Sequence, residues 1–173
     1  MADELQDQME KDFDKVLKQK AKRLNKEELE AAITDFLAKH ILCTLATCDN
    51  NEPRATPLRY RSEGMNIFFL TEGGGKVKNM LANPKVSVGI LGEYSGFDSV
   101  KGLQLWGTAE VIEPGDTERY KAARKAIRSE EREDLKKLGD LPIRDKLKAV
   151  KITVTKARYL NIPEGILNQV WEA

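Results

Sequence analysis

Apolar residues recur along this chain with two different periods, and the change from one to the other divides it. Leu5, Met9, Phe13, Val16/Leu17, Ala21 and Leu24 come every three or four residues among dense charges. That pattern predicts an amphipathic helix with a narrow apolar stripe. Asn25-Lys-Glu-Glu28 carries the N-cap and third-position glutamate of a capping box, and Leu29, Ile33, Phe36 and Leu37 supply a second helix's apolar face, ending near Lys39. From Ile41 the period falls to two. Ile41–Thr47 reads as a strand, Asp49-Asn-Asn51 as a turn and Pro53–Tyr60 as its hairpin partner, after which Gly64 turns the chain into a strand over Met65–Thr71.

Beyond Gly73-Gly-Gly75, a short helix over Lys76–Leu81 closes before Pro84, and Val86–Leu91 is another strand. Gly92–Ser99 is rich in turn formers. Leu103–Ile112 is a long strand interrupted by Gly107, where a bulge or a close backbone approach is expected. Asp116–Leu138 is helical, a last strand runs over Ala149–Tyr159, and a short tail ends at Trp171. The strands do not alternate with helices as βαβ units would, so the sheet should be antiparallel, with a small barrel as its natural closure. A chain of 173 residues supports one well-buried core. The expected organisation is a mainly β (α+β) domain over residues 26–173, with an N-terminal helical extension over 1–25.

Charge narrows the functional classes. Lys+Arg 29 against Asp+Glu 28 leaves a net +1, so no global field recruits nucleic acid or an acidic membrane. The basic run Lys121–Arg128 reads as a solvated helix face, compensated by Glu130–Asp134. No apolar run approaches the roughly 18–20 residues of a membrane span, and the acidic, polar N-terminus does not read as a signal peptide, so a cytoplasmic location is expected. Cys43 and Cys48, five apart on one strand, should lie on opposite faces about 16 Å apart, too far for a disulfide. With His40 as the single histidine, a Ser-His-Asp triad could be built only around it and a His-rich metal site not at all; no metal is expected.

The candidate chemistry lies in residues 54–84. A glycine turn followed by a helix that opens with Lys76 presents unpaired N–H groups beside a cation, a site suited to phosphate; the plainer alternative is a flexible hairpin with a helix cap. It is not a Walker A loop, since Leu70 stands at the first glycine position and Val77 replaces the Mg²⁺-binding hydroxyl. Arg54 and Arg59, five apart, fall on opposite faces unless Pro57 bends or bulges the strand. Trp106, Trp171, Tyr94, Phe97 and Tyr159 could stack on a ring system or fill a core or an interface.

Leu45-Ala-Thr47, Pro53-Arg-x-x-Pro57-Leu, Phe69-x-Thr71, Lys76-Val-Lys-Asn79-Met-Leu-x-x-Asn83-Pro84-x-Val86-Ser and Gly107-Thr-Ala-Glu110 stand in register over residues 29–160. Together they resemble the pyridoxamine 5′-phosphate oxidase-like family of FMN-binding split β-barrels. The resemblance implies a six-stranded antiparallel Greek-key split barrel with flanking helices. It also implies a homodimer holding FMN at its interface, and a flavin-dependent oxidoreductase acting on a small-molecule substrate. In that pattern the strand Arg54, Ala55, Thr56, Pro57, Leu58 and Arg59 lies along the flavin. Leu70 and Thr71 border it, and Gly74, Gly75 and Lys76 take the phosphate. Two departures stand out. Gly74-Gly75 replaces the family's usual hydroxyl and basic pair, which shifts phosphate contacts toward backbone N–H groups. Asn161–Ala173 lacks the basic and histidine residues of the oxidase proper. The resemblance leaves a flavin- or haem-binding storage module and a reductase using the deazaflavin F420 as alternatives.

Overall fold

The computed structural model describes residues 21–115, 117–128 and 146–173. Helix α1 (Lys26–Lys39) starts at the capping box: the Asn25 side chain accepts from the Glu28 N–H at 2.9 Å, and the Glu28 carboxylate accepts from the Asn25 N–H at 3.0 Å. Strands β1 (Leu42–Asp49) and β2 (Glu52–Arg59) form a hairpin whose Asn50 and Asn51 both have left-handed φ, 50° and 63°, as a type I′ turn requires. There follow β3 (Arg61–Glu63), β4 (Asn66–Thr71), helix α2 (Gly75–Ala82), β5 (Lys85–Leu91), β6 (Lys101–Ile112), helix α3 (Thr117–Ile127), β7 (Lys148–Asn161) and β8 (Ile166–Glu172).

The strands pair in the order β2-β1-β5-β6-β7-β4-β3, with β8 added on β7, and every pairing is antiparallel. The two ends of that path, β2 and β3, are consecutive in the chain with only Tyr60 between them, so the sheet curls round into a barrel. Tyr60 is fully buried at this pivot; its hydroxyl donates to the Leu37 carbonyl at 3.0 Å, and its N–H to Ile41 O at 2.8 Å. The class is the one expected, with eight strands in place of six. The additional two are β3, a three-residue continuation of the β2 strand past the pivot, and β8, which lies in the stretch read as a tail. In β8 the alternation is broken by Asn168, whose φ is 49°, so Ile166 and Trp171 are both buried although five apart.

Gly107 sits at a bulge, where the β6–β7 register shifts between Trp106 and Gly107. A Cβ there would collide with the Thr153 carbonyl and come within 3.0 Å of Ile152 Cγ2, so only glycine lets the strands approach this closely. Inside the barrel Leu45, Tyr60, Ile67, Phe69, Val88, Leu105, Val150, Ile152 and Ile166 form one core that α1 closes with Leu29, Ile33, Phe36 and Leu37. A satellite cluster of Phe68, Ile112, Ala149, Ala123, Ala126 and Ile127 seats α3.

Of the N-terminal helix read from Leu5 to Leu24, the part before residue 21 lies outside the described residues. Residues 21–25 are not helical. Their backbone is taken by the β8 region, Lys22 N–H donating to Gly165 O at 2.8 Å and Leu24 N–H to Gln169 Oε1 at 3.1 Å, which outcompetes a periodic apolar stripe. Cys43 and Cys48 are free thiols, the first buried. Among the described residues no helix is long and apolar enough to cross a membrane.

Gly107→Ala should lower stability by about 2 kcal/mol, because a backbone carbonyl and not a side-chain end must move; thermal or denaturant unfolding of the variant measures it. A second expectation concerns pH. Burial pushes the Cys43 thiol from its ordinary value near 9 up to about 12. The folded state therefore keeps a proton that the unfolded chain loses. Stability contributed by this group is full below about pH 9 and falls as pH rises toward 12, by at most about 1.4 kcal/mol per pH unit. Denaturant melts across that range should show a shallower decline in Cys43→Ala.

Candidate functional site

Where β2 leaves β1 and the chain crosses at Tyr60 to pair with β4, the strands β2 and β4 are not bonded to each other, and a gap opens in the barrel wall. The gap is a cleft of about 640 Å³, lined by Thr56, Pro57 and Leu58 from β2, Phe69, Leu70 and Thr71 from β4, the turn Glu72–Gly74, Lys76 and Leu147. Its walls are mostly apolar. Its floor at one end is the glycine turn and the start of α2.

That turn depends on glycine. Gly73 and Gly74 have φ of 134° and 82°, conformations closed to ordinary side chains. Gly74 is the N-cap of α2 and gives no side-chain cap; its carbonyl accepts from the Val77 and Lys78 N–H groups at 3.0 and 3.1 Å. The first N–H groups of the helix have no acceptor within it, and the first turn holds no acid, so the positive end of the helix dipole faces the cleft uncompensated. Lys76 Nζ donates to Gly73 O at 3.1 Å, and Gly73 N–H donates to Thr71 Oγ1 at 3.2 Å, which ties the turn to β4. Helix α2 is held against β1 by Asn79, donating to Thr47 Oγ1 at 3.2 Å, and by Asn83, donating to Cys48 O at 3.1 Å.

Arg54 reaches the same turn from β2. A Cβ built on Gly75 would lie 2.7 Å from Arg54 Cζ and Nε and 2.8 Å from Nη2, so the guanidinium lies over the first residue of α2. Two cations and a helix N-terminus thus converge at one end of the cleft, against one exposed carboxylate among the lining residues, Glu72. Such a cluster can hold a dianion.

The sequence model of the family described as pyridoxamine 5′-phosphate oxidase matches residues 29–161, most of the chain. The chain belongs to that family. No curated protein matches the sequence significantly. Among solved structures, a conserved hypothetical protein of Mycobacterium tuberculosis is 21% identical with a TM-score of 0.63, over 78% of this chain and 86% of that one. A FAD-binding protein of Mesorhizobium loti is 20% identical with a TM-score of 0.62, over 73% of this chain and 90% of that one. The heme storage protein of Vibrio cholerae is 19% identical with a TM-score of 0.58, over 73% and 89%. At these identities the likeness is one of fold.

The structure brings Thr56, Pro57, Leu58, Leu70, Thr71, Gly74 and Lys76 together along the cleft, with Arg54 on Gly75 at its end. The β1–β2 register runs unbroken through Pro57, so the strand neither bulges nor flips there and its alternation holds. Arg54 shares the face of Thr56 and Leu58, whereas Ala55 and Arg59 lie on the other face, Arg59 opposite Leu42. Phe69, of the motif Phe69-x-Thr71, and Gly73, of the glycine turn, also line the cleft, as do Glu72 and Leu147, which the sequence reading does not name. Glu72 lies between two such residues, but nothing local marks Leu147, which precedes β7 and arrives through the β4–β7 pairing. Trp171 and Tyr159 are buried in the core, Trp106 is half-buried with Lys156 over its ring, and Tyr94 and Phe97 are exposed.

Proposed function

We propose that the protein binds FMN in the cleft between β2, β4 and the start of α2, and that it works as a flavin-dependent oxidoreductase on a small-molecule substrate, as a homodimer in the cytoplasm. The observation that carries this reading is the convergence of Arg54, Lys76 and the uncapped α2 N-terminus at one end of an otherwise apolar cleft. FMN has that polarity, a phosphate dianion at one end and a flat aromatic ring at the other, and about 640 Å³ lies within the roughly 300–1,000 Å³ of cofactor sites. When bound, the flavin supplies the electron transfer. The chain's part is to hold the phosphate with Arg54, Lys76 and backbone N–H groups, and to keep water from the ring with Leu58, Phe69, Leu70 and Leu147.

The fold of this chain is shared by a protein named for FAD binding and one named for heme storage. The cleft's chemistry favours the flavin. No histidine lines it, and the chain's single histidine, His40, has its Nδ1 2.7 Å from Phe36 O and its ring stacked on Phe36 at 3.9 Å.

Dimerisation is supported by the outer face of β2, β1 and β5. Leu42, Thr44, Pro57, Gly89 and Leu91 line a shallow apolar depression there, with Leu42 and Leu91 67% and 70% exposed. The residues lining this depression carry no charge, with Arg59 opposite Leu42 at its margin, and an apolar patch of this kind suits a second copy related by a two-fold axis. Pro57 lines both this face and the cleft, so a partner seated on the face would border the cofactor.

The purified protein should take up FMN, with flavin absorption and quenched fluorescence, and bind it more tightly than riboflavin; a Soret band alone, or equal affinity for both flavins, would overturn the reading. Lys76→Ala should weaken FMN about tenfold, near 1.4 kcal/mol, and leave riboflavin nearly unchanged. The loss stays at the low end for a charged hydrogen bond because Lys76 already has the Gly73 carbonyl as a partner. Light scattering should give about twice 19.5 kDa, and Leu91→Glu should shift the mass toward the monomer.

A further inference from the structure

Strand β8 has one strand neighbour, β7, and on its other side it meets residues 22–24 through Gly165 O and the Gln169 side chain. Between these two stretches lies a groove of about 870 Å³, lined by successive residues of both, 21–26 and 167–172, together with Leu29 of α1. It is larger than the cofactor cleft and shares no lining residue with it. Leu24, Leu29, Leu167 and Val170 give it an apolar lining, and Val170 stands 45% exposed. Its charge is basic: Lys22, Arg23 and Lys26 stand against one carboxylate, Glu172, which is bound to Lys156 at 2.7 Å. Lys22 and Arg23 are exposed and, among the described residues, neither is paired with a carboxylate.

An edge strand with exposed apolar side chains is an aggregation hazard unless something covers it, and the chain itself carries a fitting cover. The described chain begins at Ala21, which lines the groove, so the preceding residues join it there. Residues 3–14 hold Asp3, Glu4, Asp7, Glu10, Asp12 and Asp14 against the single cation Lys11, the complement of the basic rim. Leu5, Met9 and Phe13 recur among them every four residues, an apolar stripe to meet the apolar lining. The six residues from Lys15 to Lys20 can extend about 20 Å, which leaves slack for the acidic stretch to fold back.

We propose that this groove is the docking surface for the chain's own residues 3–14, with Leu5, Met9 and Phe13 seated on Leu24, Leu167 and Val170 and the carboxylates facing Lys22 and Arg23. The tether at Ala21 makes the contact intramolecular, at an effective concentration of about a millimolar, so a weak contact is enough to hold it. Docked there, the segment covers the side of β8 that no strand pairs with. Because groove and cleft share no residue, the docking does not depend on what the cleft binds.

Hydrogen exchange of the full-length chain, compared with a synthetic peptide of residues 1–20, tests this. Residues 3–14 should exchange about tenfold more slowly in the chain than in the peptide. Lys22→Glu with Arg23→Glu changes exposed side chains and should remove most of that protection, as should Val170→Glu, while the core strand β1 keeps its own. Adding Asp7→Lys and Glu10→Lys to the double reversal should restore it, and salt should weaken it in the wild type. Exchange of residues 3–14 at the peptide's rate in the wild type overturns the proposal. Protection that survives both groove variants overturns it too, since the segment would then be sheltered elsewhere. A charge swap that restores nothing does the same, because the reversal would have acted on the groove and not on the contact. Protection that vanishes in Leu91→Glu assigns the groove to a second copy's segment and overturns docking within the chain.

Discussion

The architecture depends on burying Tyr60 between two halves of one strand. The β2–β3 segment pairs with β1 on one side of this residue and with β4 on the other, and the fully buried ring with its hydroxyl on Leu37 O pins the crossing to the end of α1. A buried phenol without a partner is costly, so the helix carbonyl is a structural requirement of the pivot. Once the strand crosses there, the wall must be sealed on one side of the pivot and parted on the other. The sealed side holds the apolar core; the parted side is the cleft.

The cleft inherits its polarity from its position. Its walls are successive residues of β2 and β4, Thr56–Leu58 and Phe69–Thr71, at the edge where the two strands part, and are mostly apolar, while its end is the place where the chain leaves β4 through a glycine turn into α2. The helix cannot swing away, because Asn79 and Asn83 bind it to β1 through Thr47 and Cys48. Arg54 lies directly opposite Thr47 in the hairpin, so one patch of β1 positions both the helix end and the arginine that approaches it. The electrostatic cluster is thus a product of the hairpin register, and a slip of one residue would turn Arg54 to the opposite face.

Much of this was legible in the chain alone. The capping box at Asn25–Glu28, the Asn50-Asn51 hairpin, the Gly107 bulge, the antiparallel class and the family follow from local rules: a side chain that caps, a φ that only certain residues take, a period of two. What the chain by itself could not determine involves partners distant in sequence. Residues 21–25 continue a helical stripe yet are not helical, because the β8 region, about 140 residues away, takes their N–H groups. Asn168 breaks an alternation that would have marked β8 as a strand. Leu147 enters the cleft only through the β4–β7 pairing. The two glycines before Lys76 are equivalent as letters, and only the tertiary structure separates them: Gly74 answers to its own dihedral angle, a local property, and Gly75 to a guanidinium delivered from another strand by the closure of the barrel.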